Sequence, residues 1–196
     1  MQIIREAKNY IYNEKPLLLA LGNFDGVHYG HKKLLSTVVE RARMINGTAA
    51  AFIFDPHPAS VLTPDKAPRM LVTTERKAEL LEQLGLDLLV YHSFTLEIAR
   101  WSAEEFVQRI LLDCFKVSEV YVGFNYSFGH QGAGTPELLR TLSDKYGFET
   151  QVIPPVTVAG EVVSSSLIRN YLKHGAIDKA YYMLGYYPLG RRVAEG

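Results

Sequence analysis

Strand-like and helix-like segments alternate along almost the whole chain, and this alternation limits the folds that it can adopt. Five apolar runs have the length of buried strands, at residues 17–21, 48–54, 86–91, 117–122 and 148–153. Amphipathic segments separate them, and we expect helices over residues 30–44, 74–84 and 102–114 and from Thr135 onward. Because these connections are too long for hairpins, the strands must run parallel with right-handed crossovers. The sequence therefore predicts an α/β fold, a doubly wound, Rossmann-like five-stranded parallel sheet.

Two further helices are predicted near the end of the chain. A short extended stretch with a turn at Ala159-Gly160 leads to a helix that ends at His174, and a last helix spans residues 177–184. With 196 residues, of which 47% are hydrophobic, the chain suits a single domain with a large core.

Charge and cysteine content exclude several classes of function. Basic and acidic residues each total 21, so no overall positive field favours nucleic acid, and we expect no nucleic-acid partner. The single cysteine, Cys114, excludes an internal disulfide framework and a thiolate zinc site, and we interpret it as a core residue of the 102–114 helix. The N-terminus lacks the features of a signal peptide, and no apolar run approaches membrane length. We therefore expect a cytoplasmic protein without a membrane partner.

A glycine-punctuated turn joins the first predicted strand to the first long helix. Residues 22–31 read Gly-Asn-Phe-Asp-Gly-Val-His-Tyr-Gly-His. Such a turn directs backbone N–H groups and the positive end of the helix dipole at one place, which favours an anion. His28 and His31 are three residues apart, so one helical turn can direct both imidazoles at a phosphate, and Gly30 lets the backbone approach it. The alternative is a simple Asp25-Gly26 turn followed by two solvent-facing histidines.

A second candidate anion site lies near the end of the chain, where residues 164–169 read Ser-Ser-Ser-Leu-Ile-Arg. Three hydroxyl groups at a helix N-terminus, with a guanidinium group one turn later, suit a polyphosphate. The alternative is a well-capped helix with a surface arginine. The pairing with the first motif favours the anion site.

Two loops at the ends of other strands carry further candidates. In the loop after residue 122, Asn125 offers both an amide donor and a carbonyl acceptor, although it also suits a left-handed turn. Phe128 in the same loop could stack on a planar ligand or anchor the loop in the core. In Phe54-Asp55-Pro56-His57-Pro58 the prolines favour a rigid loop, in which His57 is as suitable for a structural role as for a ligand contact.

Together these four motifs resemble those of the FAD synthetase family, the adenylyltransferase half of the bacterial bifunctional riboflavin kinase/FAD synthetases, within the nucleotidylyltransferase superfamily. The resemblance covers about residues 1–185 and departs from the family pattern by a serine for threonine at Ser166 and by Tyr126 for phenylalanine. It implies an FMN adenylyltransferase domain over residues 1–185. The implied reaction is attack of the FMN phosphate on the α-phosphorus of ATP, giving FAD and pyrophosphate, with Mg²⁺ bridging the phosphates.

The resemblance also implies roles for individual residues. The catalytic candidates are His28, His31 and Arg169. The ATP-binding candidates are Gly22, Asn23, Phe24, Asp25, Gly30, Ser164, Ser165 and Ser166. The flavin-binding candidates are Phe54, Leu62, Asp65, Asn125 and Phe128, and Asn125 is also the candidate contact for Mg²⁺.

Residues 186–196 resemble the linker and first strand of a riboflavin kinase module, whose later Pro-Thr-x-Asn signature is absent. We therefore expect a kinase module as a partner domain only if the natural chain is longer. Two alternatives to FMN adenylylation stay open. One is an adenylyl- or cytidylyltransferase for another phosphorylated acceptor, and the other is a flavin-nucleotide-binding module without turnover.

Overall fold

A computed structural model describes residues 1–188 of the chain, and its centre is a parallel sheet of six strands in the order β1-β4-β3-β2-β5-β6. The strands are β1 (Gln2–Arg5), β2 (Leu17–Leu21), β3 (Thr48–Phe54), β4 (Leu88–His92), β5 (Glu119–Gly123) and β6 (Glu149–Ile153). A separate two-stranded antiparallel ribbon pairs β7 (Thr157–Val158) with β8 (Glu161–Val162) around the predicted turn.

Helices cover both faces of this sheet. They are α1 (Tyr29–Met44), α2 (Pro58–Leu62), α3 (Thr74–Gln83), α4 (Ala103–Phe106), which continues as a π-helix over Val107–Cys114, α5 (Pro136–Tyr146), α6 (Ser165–Lys173) and α7 (Ile177–Leu184). The predicted capping box is present at the start of α4, where Ser102 and Glu105 bond each other's backbone N–H groups. Thr135 and Ser164 cap α5 and α6 through their hydroxyl groups, as their positions predict.

The doubly wound α/β fold is confirmed, with one strand more than the five predicted. The missed strand, β1, has four residues that are mostly exposed, and it pairs with β4 alone at the sheet edge. It therefore lacks the apolar pattern of a buried strand. The short helix α2 was also not predicted, because it lies in a proline-rich stretch that resembles a loop.

The core has one apolar layer on each face of the sheet. Along β2 the side chains of Leu17, Leu19 and Leu21 pack on the face that carries α4 and α5, whereas Leu18 and Ala20 pack on the face that carries α1 and α3. All five are at most 1% exposed, which explains why this strand is apolar throughout rather than alternating. Cys114 packs against the first layer and is partly buried, in agreement with its interpretation as a core residue.

The order of the strands indicates where a ligand-binding cleft should lie. Strand β2 lies between β3 and β5, so the chain leaves it in one direction and later returns on the other side. Parallel sheets bind ligands outside the carboxyl ends of their strands at such a reversal. The turn at residues 22–31 directly follows β2 at this point. Helices α6 and α7 form a small third cluster beside it, around Ile168 and Leu184.

Two predictions from the sequence concern the C-terminal end of the chain. The predicted linker and first strand of a kinase module span residues 186–196, of which residues 189–196 lie outside the described residues, so this assignment and the boundary at residue 185 stay predictions. Within residues 1–188 we find no helix with the length and hydropathy needed to cross a bilayer.

Candidate active site

A single large cleft of about 1060 Å³ opens at the carboxyl ends of the strands and brings the four sequence motifs together. Every candidate site residue lines it except Asp65, which is exposed on the turn after α2. The role proposed for Asp65 therefore stays a prediction without geometric support. The other candidates come from four segments that are far apart in sequence, which is the arrangement that the strand ends predict.

The two histidines of the turn stack on each other at the start of α1. Their ring centroids are 3.6 Å apart with an interplanar angle of 14°. His28 is the N-cap of α1, and its Nδ1 accepts a hydrogen bond from the backbone N–H of His31 at 3.3 Å. A neutral imidazole that accepts at Nδ1 carries its proton on Nε2. The cap thus leaves the Nε2–H of His28 as a donor for a ligand in the cleft.

Both histidines are neutral at physiological pH. Burial is the main cause that lowers the pKa of His28 to about 4; a backbone hydrogen bond opposes this shift, and the nearby Arg169 guanidinium adds to it. The pKa of His31 lies well below its usual value, first because of burial and then because of the neighbouring His28 and Lys77. Two stacked imidazolium ions would also repel each other. The pair therefore offers uncharged N–H donors, in a site whose positive charge comes from Arg169 and Lys77.

Gly30 has a packing role that the sequence alone did not indicate. A Cβ atom at this position would lie 3.1 Å from His28 Cε1 and 3.2 Å from its Nδ1. Contacts this close require the histidine ring to move. Glycine at position 30 therefore makes room for the stacked imidazole, in addition to opening the backbone to a ligand.

The three serines at the start of α6 have different environments. Ser164 Oγ accepts from the backbone N–H of Leu167 at 3.2 Å, which caps the helix and leaves the hydroxyl proton available. Ser165 Oγ donates to the backbone carbonyl of Asp25 at 2.9 Å and thereby ties α6 to the turn after β2. Ser166 is exposed in the cleft. Of the two partly buried hydroxyl groups, that of Ser164 is the better placed to donate to a phosphate.

Arg169 and Asp25 form an ion pair in the lining of the cleft. Arg169 Nη2 lies 2.6 Å from Asp25 Oδ2, and Arg169 Nε donates to the backbone carbonyl of Arg69 at 2.9 Å. The Asp25 carboxylate is 2% exposed and also accepts from the backbone N–H of Leu71. In this structure the carboxylate therefore orients Arg169, which lines the cleft and keeps further N–H donors beyond these two bonds.

The other part of the cleft is aromatic. Phe54 packs edge-on against Phe94 with ring centroids 5.0 Å apart, and Leu62, which is 52% exposed, lines the same wall. Phe128 is 7% exposed and stacks on Tyr126 in the core, so its environment favours the anchoring role over direct stacking on a ligand. Asn125 is exposed and lines the cleft.

His57 joins two of the loops around the cleft. Its Nδ1 accepts from the backbone N–H of Ala59 at 3.1 Å and caps α2, while its Nε2 lies 3.1 Å from Asn23 Nδ2. Burial, followed by the charges of Arg169 and Lys77, lowers its pKa. His57 thus has a structural role as helix cap and also lines the cleft.

Several residues around the site were missed in the sequence. Lys77 is 6% exposed, and its Nζ donates to the backbone carbonyl of Asn23 at 2.9 Å. A signal was present, because Lys77 shares the helical spacing of the apolar residues Leu80, Leu81 and Leu84. Phe94, Trp101 and the 44% exposed Phe124 line the cleft itself, whereas Lys77 does not.

The carboxylates of the site do not form a metal cluster. Among residues 1–188, no group of three or more histidine, cysteine, aspartate or glutamate side chains is arranged to hold an ion. A divalent cation in this cleft would need oxygen ligands from the bound substrates, with the amide oxygen of the exposed residue Asn125 as a supplementary contact.

Comparison with known proteins agrees with this geometry. The model of the FAD synthetase family matches residues 11–167. Relatives include a bifunctional riboflavin kinase/FMN adenylyltransferase of Pseudomonas fluorescens, 32% identical over 100% of this chain and 63% of the relative. One of the same description from Listeria monocytogenes is 35% identical over 86% of this chain and 54% of the relative. The chain thus spans somewhat more than half the length of these relatives.

Solved structures show the same fold. A Streptococcus pneumoniae protein described as a macrolide-efflux protein superposes with a TM-score of 0.80 at 25% identity, over 93% of this chain and 60% of that protein. Pantothenate synthetase from Thermus thermophilus superposes with a TM-score of 0.57 at 18% identity, over 92% of this chain and 71% of the enzyme, which is a likeness of fold alone. The family model covers most of the chain, including three of the four motifs in full. This chain is a member of the FAD synthetase family.

Proposed function

We propose that the chain is an FMN adenylyltransferase, which transfers the AMP group of ATP to FMN and releases pyrophosphate. One observation carries the proposal: a single cleft joins a polar end, with the histidine pair, Arg169 and the serines of α6, to an aromatic wall around Phe54 and Phe94. The polar end suits phosphates, and the aromatic wall suits a planar ring system. ATP and FMN, the two substrates of this reaction, each combine phosphate groups with a planar ring system.

The reaction requires the protein mainly to position the two substrates and to stabilise the negative charge on their phosphates. A phosphate oxygen of FMN attacks the α-phosphorus of ATP, a new P–O bond forms, and the bond to the bridging oxygen of pyrophosphate breaks. The nucleophile is already ionised, so no general base is required. The neutral Nε2–H of His28, its stacked neighbour His31 and the guanidinium of Arg169 would donate to phosphate oxygens as negative charge develops on them.

Helix termini would add to this stabilisation. Helices α1 and α6 both begin at the cleft, capped by His28 and Ser164. The positive ends of their dipoles favour the triphosphate. Mg²⁺, when bound, would neutralise phosphate charge, and Asn125 is the residue of this chain that would contact it directly or through its water. We infer a cytoplasmic location, because ATP is the substrate, and a riboflavin kinase module as a partner domain wherever the natural chain continues.

The test is a product assay with an acceptor panel. The purified chain is incubated with ATP, Mg²⁺ and either FMN, riboflavin, pantetheine phosphate or no acceptor. Flavins are separated by chromatography, and pyrophosphate is measured in parallel. Among these acceptors, we expect only FMN to give FAD together with an equimolar amount of pyrophosphate. We expect no FMN to form from riboflavin. Pyrophosphate release with pantetheine phosphate would instead support the alternative acceptor, and tight flavin binding without pyrophosphate would support a binding module.

Variants of two histidines test whether FAD formation takes place in this cleft. His31→Ala is expected to lower the rate of FAD formation by about a hundredfold or more, the typical scale for one preorganised donor to transition-state charge. His174→Ala is the matched control, because His174 is exposed at the C-cap of α6 and does not line the cleft. Equal activities in the two variants, with unchanged circular dichroism, would exclude the role given to His31.

A further inference from the structure

The turn that follows β2 has an unfavourable backbone conformation. Phe24 and Val27 have φ angles of 46° and 38°, and Gly26 between them has a φ angle of 78°. Glycine tolerates this region, but a β-branched residue such as valine rarely adopts it. Such a conformation persists only where the surrounding structure enforces it. The side chains of Phe24 and Val27 are fully buried, which supplies part of that enforcement.

Three side chains from distant elements hold the carbonyl groups of this turn. Lys77 Nζ in α3 donates to the carbonyl of Asn23 at 2.9 Å. Ser165 Oγ in α6 donates to that of Asp25 at 2.9 Å. The hydroxyl group of Tyr186, just after α7, donates to that of Gly26 at 2.7 Å. These donors are 54, 140 and 160 residues away from their acceptors along the chain.

Fixing a carbonyl group also fixes the N–H group that follows it. In a trans peptide the C=O and N–H bonds point in opposite directions. The three side-chain donors therefore set the directions of the amides of Phe24, Gly26 and Val27. They also occupy oxygen atoms whose partial negative charge would oppose a phosphate. Neither Lys77 nor Tyr186 lines the cleft, so their effect on a ligand passes through the turn.

We propose that Lys77 and Tyr186 are positioning residues, which hold the strained turn in its anion-binding conformation from beneath. This inference rests on the proposed function, since it takes the turn to bind the phosphates of ATP. Lys77 adds a buried positive charge, which lies near the carboxylates of Asp25 and Asp55 and near the imidazole of His31. Through Tyr186 the conformation of the turn depends on the segment after α7, because the Tyr186 ring packs against two of the core clusters.

Tyr186→Phe is the sharper test, because it removes one hydroxyl group and keeps the ring. Its matched control is Tyr187→Phe, where the neighbouring ring is 41% exposed and stacks on Tyr181. Calorimetry with ATP alone gives the affinity, and amide hydrogen exchange reports on the Val27 N–H, which bonds the carbonyl of Phe24. We expect Tyr186→Phe to weaken ATP binding about three- to tenfold and to speed Val27 exchange by a similar factor. The control should change neither.

Lys77→Met tests the second residue. Lys33→Met is its control, because Lys33 is exposed on α1 and does not line the cleft. Lys77→Met removes both a donor and a charge, so we expect at least tenfold weaker ATP binding and faster Val27 exchange than in the control. Lys77→Arg, which retains both, should recover part of the affinity. Thermal unfolding of each variant identifies those that lose affinity only because they are unfolded.

The outcomes separate the two proposals. If the wild type forms FAD but Tyr186→Phe and Lys77→Met match their controls in ATP affinity and in Val27 exchange, the positioning role is wrong and the proposed function stands. If the wild type forms no FAD, the proposed function fails. Val27 exchange in the free protein then still decides whether these two side chains hold the turn.

Discussion

Replacing Asp25 by asparagine is expected to destabilise the folded protein by about 3 kcal/mol. The carboxylate of Asp25 is 2% exposed and lies 2.6 Å from Arg169 Nη2. Asparagine has nearly the same shape and keeps an oxygen that can accept from the N–H of Leu71. The substitution therefore removes the negative charge and leaves the guanidinium group without its counterion.

The magnitude follows from the burial of the two partners. Removing one partner of a buried ion pair costs about 3–5 kcal/mol, because the other charge stays desolvated and uncompensated. The Arg169 side chain is 23% exposed, and its Nε retains the bond to the carbonyl of Arg69. Solvent screening therefore places the expected cost at the lower end, about 3 kcal/mol.

Urea unfolding at neutral pH, followed by circular dichroism, measures this cost. The midpoint should fall while the slope stays constant, and the melting temperature should decrease by about 6–12 °C. Glu79→Gln makes the same chemical change in the pair of Arg76 and Glu79, whose side chains are 44% and 59% exposed. A surface pair of this kind contributes about 0–1 kcal/mol, so the control should unfold close to the wild type.

A double-mutant cycle isolates the pair itself. Arg169→Met alone leaves the Asp25 carboxylate buried without its counterion, and the double variant with Asp25→Asn removes both charges. We expect the double variant to be more stable than the sum of the single losses predicts, by about 1–3 kcal/mol. An Asp25→Asn variant within about 0.5 kcal/mol of the wild type would refute the reasoning that this pair stabilises the turn.

Three further predictions concern the site. The pKa of His28 is about 4 in the folded protein, below the ordinary histidine value of 6.5, so the unfolded chain binds the proton first and stability falls as the pH drops from about 6.5 to 4. His28→Asn, which keeps a cap, should remove up to about 3 kcal/mol of this pH dependence in urea titrations at pH 7 and pH 4.5. An unchanged pH dependence would contradict this prediction. Arg169→Lys should lower kcat/KM for ATP by more than about tenfold, because an ammonium group cannot replace a planar, bidentate donor. Near-wild-type kinetics would instead favour the alternative, in which residues 164–169 form a capped helix and the arginine does not bind ATP. Phe94→Leu should raise the KM for FMN about tenfold with little change in the KM for ATP. An equal effect on both KM values would contradict the assignment of the aromatic wall to the flavin.

The sequence by itself determined the class of fold and the positions along the chain of the motifs that line the cleft. Strand β2 is apolar on both faces, and α1 carries its apolar residues at helical spacing, so both were predictable from local pattern. The turn at residues 22–31 was predictable because its glycines and histidines are adjacent in sequence. The caps at Ser102 and Thr135 followed for the same reason, since each involves atoms within one helical turn.

Only the tertiary structure decided how these parts are held together. The pairing of Asp25 with Arg169 joins residues 144 positions apart, and the bond from Tyr186 to Gly26 joins residues 160 positions apart. Neither contact has a local pattern, because each depends on how α6 and α7 pack beside β2. The edge strand β1 was missed for a related reason, since its only partner within residues 1–188 is a strand more than eighty residues later. Local spacing specifies which residues form an element, whereas the direction of a buried charge or hydroxyl group depends on the packing of elements that are distant in sequence.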